Sequence, residues 1–252
     1  MENISEKLES IAKTRNIRIL YACETGSRAW GFPSPDSDYD VRFLYMHERD
    51  WYLSLNHRKD SVEQMDGELD LTGWDLKKSL LLLKKSNASL IERFQSPIVY
   101  HADQPFTADF KNLIQSFYSA RAVFFHHFSL ATGFWEDMSS RREVKLKSLF
   151  YLVRSVLSCD WITKDSVVLP MHIEGLMKYT DANLCSRFRE LIALKSKVNE
   201  SYVHPMDRDI AAWVRERLDQ FSKIGDTLGV DSSDISVLNG FFIKTLHGNV
   251  NN

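Results

Sequence analysis

Cysteine is scarce in this chain of 252 residues, which contains only Cys23, Cys159 and Cys185. The three are far apart, odd in number, and accompanied by no Cys-x-x-Cys or cysteine–histidine spacing of the kind that binds zinc. Disulfide cross-links and a zinc site are therefore not expected. Buried thiols in a reducing cytoplasm are the simplest interpretation.

Long apolar runs and a targeting segment are also lacking. The apolar runs are short, as at residues 80–83, whereas a membrane-spanning helix needs about 20 such residues. The N-terminal residues are amphipathic and acidic, and they lack the basic, apolar and cleavage segments of a signal peptide. We therefore expect a cytoplasmic protein with no membrane partner.

The chain has almost no excess charge, since 32 lysines and arginines face 34 acids and the formal net charge is −2. Any contact with nucleic acid must therefore come from a local basic patch rather than from the overall field. The sequence contains no Walker A motif, no glycine pattern typical of dinucleotide binding and no motif typical of a Ser-His-Asp catalytic triad. The apolar content of 44% is nevertheless that of a globular protein with a sizeable core.

The order of the predicted elements indicates an α+β protein. Segments rich in β-branched and aromatic residues predict strands, and Asp66-Gly67 is typical of a type I′ hairpin turn. Helical spacing dominates after about residue 107, so strands and helices are segregated along the chain. The predicted strands lie at residues 17–22, 41–46, 61–65, 68–72 and 97–100, and the predicted helices at 3–13, 74–85, 87–94, 142–161, 171–179, 181–198, 206–224 and 233–246, with a further helix whose first part contains Phe110, Ile114, Phe117 and Tyr118.

The stretch 26–42 carries the chemistry. Asp38 and Asp40 stand two residues apart at the start of a predicted strand, so their side chains are expected on one face. Two such carboxylates repel each other unless a cation lies between them. Mg²⁺ prefers oxygen ligands, and in enzymes it is often bound by a few carboxylates together with the phosphates of the substrate. Gly26 and Ser27 follow the preceding strand, where a glycine backbone and a hydroxyl can hold phosphate oxygens. Turn residues explain each feature alone, but the combination predicts a metal–phosphate site.

This combination resembles the signature of the nucleotidyltransferases of the DNA polymerase β superfamily: Gly-Ser or Gly-Gly, a loop of similar length, then Asp-x-Asp or Asp-x-Glu. The longer form at 26–42 is similar to the RlaP family, predicted nucleotidyltransferases linked with RNA ligases and RNA repair. Further matches lie at residues 69–76, 85–87, 96–100 and 147–161. The resemblance implies a polymerase β-like catalytic domain over 1–105, with a mixed sheet and flanking helices. It further implies a helical bundle that binds substrate or nucleotide over 106–252.

The resemblance also implies a third carboxylate on a neighbouring strand, since a two-metal nucleotidyltransferase needs a group for the attacking hydroxyl. Asp70 matches the superfamily position, and Glu68 is the substitute. Both lie on one face of the predicted strand at 68–72, within reach of the same metal cluster. Asp75, at the start of a predicted helix, is interpreted as a residue favoured by the helix dipole.

A basic row lies on the predicted helix at 142–161, where Lys147, Tyr151 and Arg154 share one face. A solvated helix face explains this row as well, but the resemblance favours all three as nucleotide-binding residues. Arg28 is expected to bind phosphate, and Arg42 to pair with a structural carboxylate. The adjacent residues of His126-His127 diverge on a helix, so that pair is interpreted as structural.

The expected activity is metal-dependent transfer of a nucleoside monophosphate from a nucleoside triphosphate such as ATP to an acceptor hydroxyl, with release of pyrophosphate. Asp38, Asp40 and Asp70 are the expected catalytic and metal-binding residues, with Mg²⁺, or Mn²⁺ as the alternative, as the cofactor. The resemblance favours RNA as the acceptor, while a small molecule or a protein hydroxyl stays open. A non-catalytic nucleotide-binding regulator, or an antitoxin-like partner, on the same fold is the alternative function. The sequence does not determine the nucleotide base or the oligomeric state.

Overall fold

The computed structural model describes residues 4–165, 167–224, 228–229 and 234–248. The predicted helices at 3–13 and 233–246 each begin on a residue outside this described part. Strands and helices are both present, which confirms the α+β class. The strands are β1 (Arg18–Glu24), β2 (Tyr39–Met46), β3 (Ser61–Asp66), β4 (Leu69–Asp75), β5 (Val99–Ala102), β6 (Glu143–Lys145) and β7 (Val203–Pro205).

Helices make up most of the remaining described chain. A short 3₁₀ turn at Met177–Tyr179 follows the ninth helix. The helices are α1 (Ile4–Arg15), α2 (Gly26–Trp30), α3 (Arg49–Tyr52), α4 (Leu76–Lys84), α5 (Ala88–Arg93), α6 (Gln104–Phe117), α7 (Ala120–Met138), α8 (Leu146–Asp165), α9 (Ile173–Leu176), α10 (Ala182–Lys195), α11 (Arg208–Ile224) and α12 (Ile235–His247). None of the helices in the described residues is long and apolar enough to cross a membrane.

The chain divides into two compact units. Unit 1 comprises the described residues of Met1–Gly26, Asp38–Tyr118 and Asp231–Asn252, and unit 2 those of Ser27–Ser37 and Ser119–Val230. Helices α6 and α12 thus belong to the unit that contains the large sheet, and the loop 27–37 belongs to the helical unit. These units do not coincide with the ranges 1–105 and 106–252. The catalytic and substrate-binding roles assigned to those two ranges stay a prediction.

The sheet of unit 1 is mixed and has the strand order β3-β4-β2-β1-β5. Strands β2 and β4 are parallel neighbours, whereas the other adjacent pairs are antiparallel. Because β2 and β4 are parallel, their first residues lie at the same end of the sheet. This arrangement brings the acids of two separate sequence motifs together.

Alternation along β2 separates an apolar face from a mixed one. Val41, Phe43 and Tyr45 are buried in a cluster with Leu8 and Ile11 of α1. Burying an apolar side chain of this size contributes about 1.5–3 kcal/mol, so this face anchors the strand. Asp40 and Arg42 alternate with these residues, and the buried Leu44 and Met46 follow them. The second face of β2 is therefore polar only where the strand begins.

Three local predictions are wrong. The helix predicted from residue 74 begins at Leu76, because β4 continues to Asp75 and the Asp75 side chain caps α4 by accepting from Lys77 N at 2.8 Å. The hairpin loop is Gly67-Glu68, and Gly67 alone has a positive φ, of +60°, whereas a type I′ turn needs two such residues. The helical segment also contains the strand pair β6–β7, so it is not all-helical.

Unit 2 is built mainly on the packing of α7 against α8, with α11 against both. The central helix α8 is buried along most of its length, which explains why its sequence is apolar on more than one side. The three cysteines of the chain are free and buried, as the sequence predicts. Burial raises the pKa of the Cys23 thiol to about 12.

Candidate functional site

The first contact of the site joins the end of β1 to the start of β2. Thr25 donates its backbone N–H and its hydroxyl to the Asp40 carbonyl, at 2.9 and 3.0 Å. Gly26 follows with φ +61°, and a Cβ built on it would lie 2.0 Å from Asp40 Oδ2. Only glycine can therefore occupy position 26 while the Asp40 carboxylate keeps its place.

Glu24 supports Asp40 from the neighbouring strand, and sequence analysis missed it. Its side chain is fully buried, at 0% exposure. Asp40 donates its backbone N–H to Glu24 Oε1 at 2.8 Å, and the Tyr100 hydroxyl donates to Oε2 at 2.5 Å. A buried carboxylate needs hydrogen-bond donors, and the Asp40 N–H is one of those that Glu24 has here. The Glu24 side chain therefore holds the backbone of Asp40 in place. An acid that ends an apolar strand just before Gly-Ser was the available signal.

Asp40 and Asp70 lie directly opposite each other in the parallel pair β2–β4. Arg42 bridges them, since its Nη2 donates to Asp40 Oδ1 at 3.0 Å and to Asp70 Oδ2 at 2.8 Å. Its Nη1 donates to the Asp70 carbonyl at 3.0 Å. Arg42 was expected to pair with a structural carboxylate, but it pairs with two of the acids predicted to be catalytic.

The two other acids of the prediction lie just before the strands. Asp38 is exposed and immediately precedes β2. Glu68 is exposed in the β3–β4 loop, where its carbonyl accepts the Tyr39 N–H at 2.7 Å. The strand register therefore places Asp70, rather than Glu68, beside Asp40. Within the described ranges, no group of three or more His, Cys, Asp or Glu side chains is arranged to hold a metal ion.

The loop 27–37 is tied down inside unit 2. Arg28 donates to the Ser37 carbonyl at 2.7 Å, and Ser34 N–H donates to Ser37 Oγ at 2.9 Å. Lys195, which is only 1% exposed, donates its ammonium group to Ser34 Oγ at 2.8 Å. Burial lowers the pKa of Lys195. Sequence analysis did not identify Lys195, because nothing in a helical pattern near residue 195 indicates a partner 161 residues away.

Glu200 holds the same loop and also binds Lys147. Its Oε1 accepts the Ser37 hydroxyl at 2.8 Å, its N–H donates to Asp36 Oδ1 at 2.9 Å, and its Oε2 accepts from Lys147 Nζ. Burial alone would raise the pKa of Glu200, but the hydrogen bonds from Lys147 and Ser37 outweigh it and lower that pKa. Lys147, predicted to bind nucleotide, thus has a carboxylate partner within unit 2.

The predicted row on α8 does share a face, but its members differ in exposure. Lys147 Nζ lies 6.0 Å from the centre of the Tyr151 ring. Arg154 is only 5% exposed; its guanidinium lies 4.4 Å from the Trp30 ring centre and donates to the Met171 carbonyl at 3.2 Å. Tyr151 meets the same Trp30 ring edge-on at 5.3 Å. Arg154 and Tyr151 therefore pack around the last residue of α2.

His127 is buried in α7, while His126 beside it is partly exposed. Burial, together with the nearby charge of Arg154, lowers the pKa of His127 well below its usual value. A neutral, buried imidazole agrees with the structural interpretation of this pair.

The chain has matches among curated proteins and among solved structures. The chain is 32% identical over 249 residues to the Bacillus subtilis (strain 168) protein described as "Uncharacterized protein YcgL", covering 97% of this chain and 96% of that protein. A crystal structure of a nucleotidyltransferase-like protein from Exiguobacterium sibiricum 255-15 aligns with a TM-score of 0.36 and 9% identity, over 89% of this chain and 75% of that one.

The family comparison covers almost the whole chain. The model of RlaP, described as the RNA repair pathway DNA polymerase beta family, matches residues 1–244. That range includes the Gly-Ser pair, the three predicted carboxylates and every described helix except the end of α12. The chain therefore belongs to the RlaP family and is a predicted nucleotidyltransferase of the polymerase β type.

Proposed function

We propose that the protein transfers a nucleoside monophosphate from a nucleoside triphosphate to an acceptor hydroxyl and releases pyrophosphate. The observation that carries this proposal is the position of Asp40, which lies opposite Asp70 in the sheet and against the Cα of Gly26. One residue thus joins the Gly-Ser motif to the carboxylates. A solvated turn would not need such a contact, because its glycine and its acids would be independent.

The residues at this point fit a hard divalent cation. Asp40 and Asp70 offer carboxylate oxygens on adjacent strands, and they already share one cationic group, the Arg42 guanidinium. Oxygen ligands of this kind suit Mg²⁺, with Mn²⁺ as the alternative. Asp40 and Asp70 would hold the metal, and Asp38, which is exposed just before β2, would join them once the ion is bound. Once bound, it would lower the pKa of the acceptor hydroxyl and offset charge on the phosphates.

Residues of the Gly-Ser motif and of the neighbouring strands would bind the phosphates and move the proton. Gly26 and Ser27 would hold phosphate oxygens through the backbone and the hydroxyl, and Arg28 would add a charge-assisted contact. Asp70 would accept the proton of the acceptor hydroxyl as its oxygen attacks the α-phosphorus. The new O–P bond would form as the bond to pyrophosphate breaks. Glu24 would keep Asp40 in place throughout.

The residues of unit 2 enter the proposal as nucleotide-binding groups. Lys147 would contact phosphate while sharing its ammonium group with Glu200, and Tyr151 offers a ring for stacking. Arg154 is buried against Trp30, so its proposed contribution is charge rather than a direct hydrogen bond to an exposed ligand. In this proposal residues 106–252 supply the substrate-binding part and residues 1–105 the catalytic part.

RNA is the proposed acceptor, and the family description supports it. A small-molecule or protein hydroxyl would use the same chemistry at Asp70. The reaction would take place in the cytoplasm, where triphosphates and Mg²⁺ are available.

The test is incubation of the protein with Mg²⁺, α-labelled triphosphates and pooled RNA, protein and metabolite acceptors. We expect label to move to one acceptor class as pyrophosphate is released, with Asp40→Asn and Asp38→Asn each at least about 100-fold slower. Asp109→Asn is the matched control, because Asp109 pairs with Lys244 on the surface of the same unit. Full activity in Asp40→Asn would overturn the proposal. Triphosphate binding with no transfer would instead support the non-catalytic regulator.

A further inference from the structure

Arg42 occupies a position that a divalent ion would need. A single nitrogen, Nη2, lies 3.0 Å from Asp40 Oδ1 and 2.8 Å from Asp70 Oδ2. An ion coordinated by the same two oxygens would lie about 2.1 Å from each of them. Nitrogen and ion cannot both occupy the space between one pair of oxygens. Binding of Arg42 and binding of a bridging ion are therefore mutually exclusive at this point.

The strand geometry produces this bridge. Arg42 follows Asp40 by two residues, so the two side chains leave β2 on the same face. Asp70 lies opposite Asp40 on a strand about 4.8 Å away. Without a cation, two carboxylates at that spacing would repel each other. Arg42 supplies the cation from within the strand, and its side chain is only 19% exposed.

The second oxygen of each carboxylate is in a different environment. Asp40 Oδ2 lies against Gly26, since a Cβ built on that residue would be 2.0 Å from this oxygen. Asp70 Oδ1 is 3.4 Å from the Thr72 hydroxyl. Arg42 thus binds one oxygen of each acid and leaves the other directed elsewhere. Both carboxylates are held in a fixed orientation by the bridge.

A second buried guanidinium lies on the same face of the sheet. Arg93 of α5 is 3% exposed, its guanidinium lies 3.4 Å from the Trp74 ring centre, and its Nη1 has no hydrogen-bond partner in the described part of the chain. Trp74 follows Asp70 by four residues on β4, so it shares the face of the acids. Burial, with a smaller contribution from the charge of Arg42, lowers the pKa of Arg93 to about 9. The charges of Arg42 and Arg93 thus repel each other on this face of the sheet.

We infer that Arg42 is the resident cation of the acid pair and competes with the divalent ion for Asp40 and Asp70. The inference rests on the proposed function, because it takes these two acids as metal ligands. A free ion must displace the guanidinium, which leaves Arg42 without an anion. A metal–triphosphate complex replaces the cation and also offers phosphate oxygens to Arg42. The site therefore binds metal weakly alone and more tightly with triphosphate.

Calorimetric titration with Mn²⁺ tests this, with and without a non-hydrolysable triphosphate. We expect Arg42→Gln to bind Mn²⁺ alone about tenfold more tightly than the wild type, because the competing charge-assisted bonds are gone. We expect the triphosphate to enhance Mn²⁺ binding less in Arg42→Gln than in the wild type. Arg42→Lys keeps a cation but loses the second nitrogen that contacts the Asp70 carbonyl, so we expect its Mn²⁺ affinity to lie between those of the wild type and Arg42→Gln. Arg18→Gln, at an arginine paired with Asp103 in the same unit, leaves the affinity unchanged.

A second measurement needs no substitution at the site and covers the case in which Arg42→Gln fails to fold. In protein labelled with ¹⁵N-arginine, the Arg42 guanidinium resonance should shift on titration with Mg²⁺ and triphosphate. Saturation with an unchanged Arg42 resonance would overturn the inference, as would equal or weaker Mn²⁺ binding by folded Arg42→Gln. In either case a wild type that still transfers nucleotide leaves the proposed function standing. A wild type that binds no ion even with triphosphate would end both.

Discussion

Asp40 Oδ2 occupies the space that a side chain on residue 26 would fill. A Cβ at Gly26 would lie 2.0 Å from this oxygen and 2.9 Å from the carboxylate carbon. Real Cβ atoms essentially never come this close to another heavy atom. Two independent features therefore require glycine at position 26: the backbone has φ +61°, and the Asp40 carboxylate leaves no room for a Cβ. The two halves of the Gly-Ser…Asp-x-Asp signature are in direct contact.

Gly26→Ala should lower nucleotide transfer by about 100-fold, because a misplacement of about 1 Å at a reacting group costs that much. The Asp40 carboxylate must move to admit the methyl group. The positive φ adds a loss of about 1–2 kcal/mol in the free energy of unfolding. Pyrophosphate release and urea unfolding measure the two effects.

Gly67→Ala separates the effect of a positive φ from the effect of the contact with Asp40. Gly67 has φ +60° but no atom within 4 Å of a built Cβ. It should lose the same 1–2 kcal/mol or so and keep full activity. Equal activity of the two alanine variants would show that the contact between Gly26 and Asp40 has no catalytic consequence.

Asp70→Asn should lower transfer by about 100-fold or more, the range for loss of a positioned general base. Glu68→Gln should change it by less than about threefold, because Glu68 is exposed in the β3–β4 loop and Asp70 lies opposite Asp40. Single-turnover rates at saturating triphosphate and Mg²⁺ would compare the two variants. The reverse order of effects would identify Glu68 as the third carboxylate.

Local sequence patterns were sufficient for most of the unit 1 fold. An apolar, aromatic segment located β2, and an Asp-Gly pair located the β3–β4 hairpin, although the loop itself is shifted by one residue. The helix predicted from residue 74 begins two residues later, at Leu76, because β4 continues to Asp75 and the Asp75 side chain caps α4. Periodicity alone does not locate a boundary at which a strand runs directly into a helix.

The contacts that support the site could not be predicted in this way. Acids were identifiable because two carboxylates at spacing two require a cation, but the choice of Arg42 as that cation depends on the parallel register of β2 and β4. In the sequence, Glu24 only follows an apolar segment, and Lys195 is only one of several charged residues in a predicted helix. Each acquires its role from a partner distant in sequence, and single-sequence patterns carry no information on such pairs.

Glu200 should make stability sensitive to acid. Its pKa in the folded protein is lowered, so its contribution is present above the unfolded pKa and is lost as the pH falls through the folded pKa. We expect Glu200→Gln to be less stable than the wild type by about 1 kcal/mol at pH 7, since the pair with Lys147 is only partly buried. The gap should shrink as the pH falls below about 4.5.

Urea unfolding at pH 7, 5 and 4 would measure that gap, and Glu143→Gln is the matched control at an exposed acid of the same unit. A gap that stays constant down to pH 4 would mean that the folded pKa of Glu200 is not lowered by its partners.

Lys195 should also make stability rise with pH, but in the alkaline range. Burial lowers its pKa, so the folded protein holds this proton less tightly than the unfolded chain does. Stability therefore rises with pH from the folded pKa of Lys195 up to its usual value. Lys195→Met removes both the buried charge and the hydrogen bond to Ser34.

Raising the pH from 7 to 10 reduces the opposition of this charge to folding in the wild type, so the deficit of Lys195→Met should grow toward about 1–3 kcal/mol, the cost of leaving the buried Ser34 hydroxyl without its partner. At pH 7 the difference should be smaller, because burial of the ammonium form opposes folding of the wild type more strongly there. Urea unfolding at both values would measure this, with Lys197→Met as the control at an exposed lysine of unit 2. A larger deficit at pH 7 than at pH 10 would show that Lys195 is stabilised in its charged form.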